Sequence, residues 1–443
     1  MSGGLQQISA ELTYIDGALR ANVAVVIDDA GIIRSVGAPQ ANLPTLAMRR
    51  RALLPGFVNA HSHAFQRGLR GLGEEYPAGQ GDFWTWREAM YALVERLTAD
   101  QFEALCVRAF DEMLDAGITT VGEFHYFHHA DPAALDFALD ARVLAAAQRT
   151  GIRIVLLESY YRTGGFEQPL AGGQRRFATP AVEPFLRHLE SLAKLCDGNM
   201  RRIGLAPHSL RAVPPEDLRR LFAVARERGW RVHMHLEEQQ REVSDCEAAW
   251  GRRPMRWALD ELPIDDRFTA IHATHTPAEL IRELRERGGR VCLCPLTEGN
   301  LGDGFPAAAA LAADGAAGVC IGSDSNARID PFEELRMMEW GQRLHHQRRG
   351  VWRDQCGGLA AVLLNCGTRN GAAALGVPTG AIEPGSAADF CTIDLDAACL
   401  AGIDRAALPA ALVFGASAAV VRDVCVGGRW VRSSGESPIS NRE

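Results

Sequence analysis

At 443 residues, 47% of them hydrophobic, the chain is too long for one small domain and can bury a large core. A formal net charge of -8 and a pI near 5.9 exclude the concentrated basic face that nucleic acid or an anionic membrane surface requires. Eleven cysteines, an odd number without a C-x-x-C pair, exclude a disulfide framework and predict reduced thiols in the cytoplasm.

Residues 1–14 lack the basic and apolar regions of a secretion signal. Residues 23–27 and 32–36 are β-rich runs around the turn Asp28-Asp29-Ala30-Gly31 and predict a hairpin. Strand-like runs return at 389–393 and 424–431. A small β-sandwich-like domain is therefore expected from both chain ends, residues 1–55 and 378–443, around a larger unit at 56–377. The most apolar late run, 406–421, is short and broken by Pro409, Gly415 and Ser417, so no membrane span is expected.

Between the ends, strands and helices alternate. Strands are predicted at 58–63, 118–125, 152–158, 203–208, 231–236, 268–272, 290–295 and 318–324; the seventh contains Cys292 and Cys294. Thr98-Ala99-Asp100-Gln101 is a capping box opening a helix with the apolar stripe Phe102, Leu105, Cys106, Ala109, Phe110, Met113 and Leu114, stopped by Gly117. Helical patterns at 215–228 and 277–287 and an alanine-rich short helix at 307–317 separate later strands. Eight strands with helical crossovers predict an α/β fold of the (β/α)8 TIM-barrel type, with its site at the C-terminal strand ends.

Those ends carry a distinctive residue set. His61 and His63 share one face of the first strand by period 2; His208, His235, His272 and Asp324 end the fourth, fifth, sixth and eighth. Three histidines and an aspartate converging on one mouth suit a single divalent ion, zinc or alternatively iron(II), with room for a water. Glu238, three residues beyond His235, is placed to move protons. His233 reads as core, Glu237 as a solvated neighbour. For the sixth strand, His272 at its end is preferred over His275 as the catalytic histidine.

The segments P-G-F-V-N-A-H-S-H, H-M-H-L-E-E, I-H-A-T-H and G-S-D-S, with the later G-A-I-E-P-G-S-A-A-D-F, resemble the amidohydrolase superfamily over nearly the whole chain. Two-metal members carry a carboxylated lysine at the fourth strand end; Lys194, the only lysine here, lies in a helical stretch before that strand. The resemblance thus implies the one-metal site of the family's deaminases. It implies His61, His63, His235 and Asp324 as ligands, Asp324 also as proton acceptor, Glu238 as proton shuttle and His272 as a group polarising the attacking oxygen.

Arg211, just past His208, offers the two-point fork that matches a carboxylate. The stretches 65–71 and 82–87 are similar to the branch of the superfamily that deiminates N-formimino-L-glutamate in histidine breakdown. That similarity implies Gln66, Arg87, Tyr126, His208 and Arg211 as contacts to a small acidic substrate. It also implies a homodimer, with Arg87 serving its own or a neighbouring subunit's site. The expected reaction is hydrolysis of the formimino C=N group to N-formyl-L-glutamate and ammonia. The alternative is deamination of a purine or related ring at the same metal; a non-catalytic binding barrel would have no use for Glu238 and His272.

Overall fold

The run Phe57–Ser62 is buried at every position and forms the first of eight parallel strands. In this computed structural model, which describes residues 4–72, 74, 81 and 83–433, the others are Ile118–His125, Arg153–Tyr160, Arg201–Pro207, Val232–Leu236, Phe268–His272, Arg290–Leu293 and Val319–Ile321. They pair in chain order. A parallel bridge between Ser62 and Asp324 joins the last to the first and closes the barrel. Asp82, part of one motif, lies outside the described residues.

Several strand ends differ from expectation. The seventh strand stops at Leu293, because Pro295 opens the helix Pro295–Leu301 and leaves Cys294 as its N-cap. Proline suits that first helical position, where no N–H is needed. The eighth strand is three residues long, and Asp324 follows it with φ 45°. The expected run at 424–431 is two strands, Val421–Val426 and Arg429–Arg432, turned by Gly427 and Gly428, both at positive φ.

Helix Ala99–Asp115 starts on Thr98, whose hydroxyl accepts from the N–H of Gln101 while the Gln101 side chain accepts from Thr98. Such a cap is worth about 1 kcal/mol. Its expected stripe is buried at Phe102, Cys106, Ala109, Phe110, Met113 and Leu114. Lys194 caps the helix Val182–Ala193 on the exposed surface, away from the fourth strand's C-terminal end.

Both chain ends build one further sheet, in the order Arg429–Arg432, Val421–Val426, Phe390–Asp394, Thr45–Pro55, Gln6–Ile15, Ala24–Ile27 and Ile33–Gly37, with Ala18–Arg20 beside Gln6–Ile15. Among the described residues of this sheet, only Gln6–Ile15 and Thr45–Pro55 run parallel. Ile8, Val25, Ile27, Met48, Leu53 and Phe390 are in its own small core. A buried ion pair ties this sheet to the barrel: Arg153 donates to Asp389 at 2.8 and 2.9 Å. Among the described residues no helix is long and apolar enough to cross a membrane.

Candidate metal centre and its cavity

Period-2 alternation brings His61 and His63 to the barrel mouth, where the fifth strand delivers His235 and the loop after the eighth delivers Asp324. One ligand atom from each of the four lies within 4.8 Å of the others, and all four residues are buried. His61 Nε2 and His63 Nε2 stand 3.3 and 3.2 Å from Asp324 Oδ1. Two rings are oriented by backbone: His63 Nδ1–H donates to the Phe124 carbonyl at 2.7 Å, and His235 Nδ1–H donates to that of His208 at 3.0 Å. Each therefore turns an Nε2 lone pair to the centre, as metal-ligating histidines do.

His61 is the strongest sign that an ion belongs there. It is fully buried, and among the described residues neither ring nitrogen has a hydrogen-bond partner, the Asp324 carboxylate 3.3 Å from Nε2 being an ion-pair neighbour. Burial pushes its imidazole down to about 3, which keeps it in the neutral form that ligates metals. Three imidazoles and one carboxylate fit a zinc-type ion with an open position.

Around this centre the backbone is bent hard. Glu237, His272, Ala273 and Asp324 sit at φ 53°, 70°, 53° and 45°, each costing about 1–3 kcal/mol. His272 Nε2 lies 3.7 Å from Glu238 Oε1, and its Nδ1–H donates to Glu298 at 3.3 Å. Burial alone would discharge His272, but Glu238, Glu298 and Asp324 around it raise it to about 10. Burial pushes the Glu238 carboxyl up in turn, against the pull of His272. His275 lies outside this cluster, its carbonyl accepting from Arg253.

Glu237 corrects an expectation. It is buried rather than solvated, accepting from Arg253, from the N–H of Met255 and from the hydroxyl of Thr276. His233 is core, as expected, its Nε2–H donating to the Ala374 carbonyl.

Above the centre lies a cavity. Gln66, Arg87, Tyr126, His208 and Arg211 all line it, together with Glu238 and Asp324. Gln66 Nε2 donates to the Tyr126 hydroxyl at 2.5 Å, and its buried Oε1 has no hydrogen-bond partner among the described residues. Arg211 Nη1 is 3.5 Å from Glu242, a buried carboxylate with no hydrogen bond among the described residues. Arg87 reaches the cavity of its own chain, donating to Tyr91 at 2.5 Å. Burial, reinforced by Arg211, pushes His208 well below the usual imidazole range. Sequence reasoning missed the aromatic wall of Phe83, Trp86, Tyr161 and Phe177. It also missed Glu242 and Glu298, carboxylates whose spacing from the strands is helical and so carried no period-2 signal.

Fold and site together define a (β/α)8 barrel whose mouth carries a His/Asp cluster able to hold a metal ion. Residues 52–431 match the amidohydrolase family, and the chain belongs to that family. It is 38% identical over 441 residues to a formimidoylglutamate deiminase of Pseudomonas aeruginosa, covering 97% of this chain and 95% of the relative. An 8-oxoguanine deaminase of the same species is 30% identical over 94% of this chain and 91% of its own length. The crystal structure of an amidohydrolase from Brucella melitensis superposes with a TM-score of 0.87 at 35% identity, covering 98% of this chain and 96% of that one.

Proposed function

We propose that this protein hydrolyses N-formimino-L-glutamate to N-formyl-L-glutamate and ammonia. The observation that carries the reading is the placement of Arg87 and Arg211 in one cavity with Asp324 and Glu238. A small substrate with two carboxylates at one end and an amidine at the other matches cations on the wall and proton-transfer groups on the floor. The 38% identical deiminase supports the same substrate.

Arg211 and Arg87 hold the carboxylates, while His208, Gln66 and Tyr126 orient the chain between them. His61, His63, His235 and Asp324 would hold a zinc-type ion, which would supply Lewis acidity and bring a water's pKa towards neutrality. Asp324 accepts the proton that the water gives up as its oxygen attacks the formimino carbon. Glu238 protonates the imino nitrogen as the C=N π bond opens, then takes up the remaining hydroxyl proton as the formyl C=O forms. Asp324 passes its proton to the same nitrogen, the C–N bond breaks and ammonia leaves. His272 donates towards the attacking oxygen. We take the ion to be zinc, the protein to be a homodimer and its compartment to be the cytoplasm, where eleven unpaired thiols are stable.

The aromatic wall favours a second reading, deamination of a ring amine. The test is ammonia release by zinc-loaded protein from N-formimino-L-glutamate, beside guanine and adenosine. Release from the formimino substrate alone is expected; turnover of a ring amine alone would replace the first reading with the second.

A further inference from the structure

Another group of metal-ligating side chains lies outside the cavity, between the second and third barrel strands and the helices Asp140–Thr150 and Val182–Ala193. We propose that His125, His128, Asp140 and Glu158 form a second, structural site for a divalent cation of the zinc class. One ligand atom from each lies within 4.8 Å of the others, and none of the four residues is more than 2% exposed. His125 Nε2 and His128 Nδ1 stand 2.9 and 3.1 Å from Asp140 Oδ1, and His128 Nδ1 stands 3.2 Å from Glu158 Oε1.

Two features point to a cation rather than to protons alone. His128 donates Nε2–H to the Ser159 carbonyl at 2.8 Å, so in the neutral ring its Nδ1 presents a lone pair to two carboxylates. With a proton on it, Nδ1–H serves Asp140, and that one proton cannot serve both carboxylates. Glu158, moreover, is fully buried, and among the described residues neither of its oxygens is hydrogen-bonded; its ion-pair neighbour, His128 Nδ1, is already engaged by Asp140. A buried carboxylate left in that state is costly. A divalent ion satisfies all four groups at once, and its charge balances the two carboxylates. The outer contacts fit as well: His188 Nε2–H donates to Asp140 Oδ2 at 2.7 Å, and the Ser159 carbonyl fixes His128. This is the carboxylate and carbonyl support that orients metal ligands, the pattern already seen for His63 and His235.

An ion here would pin the segment that carries Tyr126 into the cavity, since His125 and His128 flank it in sequence. It would also steady Phe124, whose ring packs 5.2 Å from His61 and 4.4 Å from His235.

The test is zinc per chain in the full-length holoprotein, with an anomalous difference map of its crystals at the zinc edge. About two zinc ions per chain are expected, with a peak among His125, His128, Asp140 and Glu158 besides the one at the barrel mouth. Glu158→Gln should lower the count to about one and erase only the second peak, whereas His61→Ala should erase only the first. If Glu158→Gln does not fold, the wild-type map decides. A wild-type crystal with zinc at the barrel mouth and none at the second cluster overturns the proposal and leaves those residues as a hydrogen-bonded network.

Discussion

His63 and Asp324 are joined twice. The backbone N–H of His63 donates to the carbonyl of Asp324 at 2.9 Å, and His63 Nε2 lies 3.2 Å from the same residue's carboxylate. Asp324 N–H in turn donates to the His61 carbonyl at 3.0 Å. The seam that closes the barrel is thus also the frame that spaces three of the four candidate ligands.

Crowding at that seam makes Gly322 sensitive. A Cβ there would stand 2.7 Å from both the Cβ and the carbonyl oxygen of His61. Gly322→Ala is expected to cost about 1–3 kcal/mol and to lower zinc retention after dialysis; denaturant melts and metal analysis measure both.

Removing the ion should remove turnover. Chelation is expected to abolish ammonia release and zinc to restore it. His61→Ala, which deletes a fully buried ligand, should resist that restoration; full activity in the variant would take His61 out of the ligand set.

Arg211 acts on binding. Arg211→Met should raise KM for the acidic substrate roughly 10- to 100-fold, the worth of a charge-assisted pair, with zinc content unchanged. Unchanged KM would place the carboxylates elsewhere in the cavity.

Glu238 acts on the chemical step. Glu238→Gln keeps the shape but cannot shuttle a proton, so kcat should fall about 10²–10⁴-fold while KM and zinc content hold. A drop confined to KM would make it a binding group instead.

Glu242 gives a pH signature. Burial pushes its carboxyl up to about 7, against the pull of Arg211, from an ordinary 4.5. The folded state then holds a proton that the unfolded chain has released, so stability falls as pH rises from about 4.5 to about 7 and is level above. The span is on the order of 3 kcal/mol. Glu242→Gln should flatten that part of the stability profile, followed by urea melts across pH; an unchanged slope would assign it to other groups.

The metal cluster was legible because strand alternation and strand ends are local properties: His61, His63, His235, His272 and Asp324 each follow a hydrophobic run. Arg211 could be proposed from its place after His208, but Gln66, Arg87 and Tyr126 came only by resemblance, since they sit on excursions whose path the residues do not dictate. Glu237 was misread because the group that buries it, Arg253, comes from a later helix start. The strands Gln6–Ile15 and Thr45–Pro55 escaped notice because polar residues, among them Arg49, Arg50 and Arg51, interrupt their alternation. The aromatic wall gathers Phe83, Trp86, Tyr161 and Phe177 from distant stretches, which no periodicity links.

Strand Thr45–Pro55 takes Phe390–Asp394 as one of its neighbours, and nearly the whole barrel is encoded between them. During translation that flank stays an open sheet edge until the ribosome has passed residue 390. The N-terminal strands can pair among themselves before then, but the edge facing Phe390–Asp394 stays open. Nascent chains halted short of that point carry an unpaired edge, which makes them, rather than full-length protein, the species chaperones would need to shield.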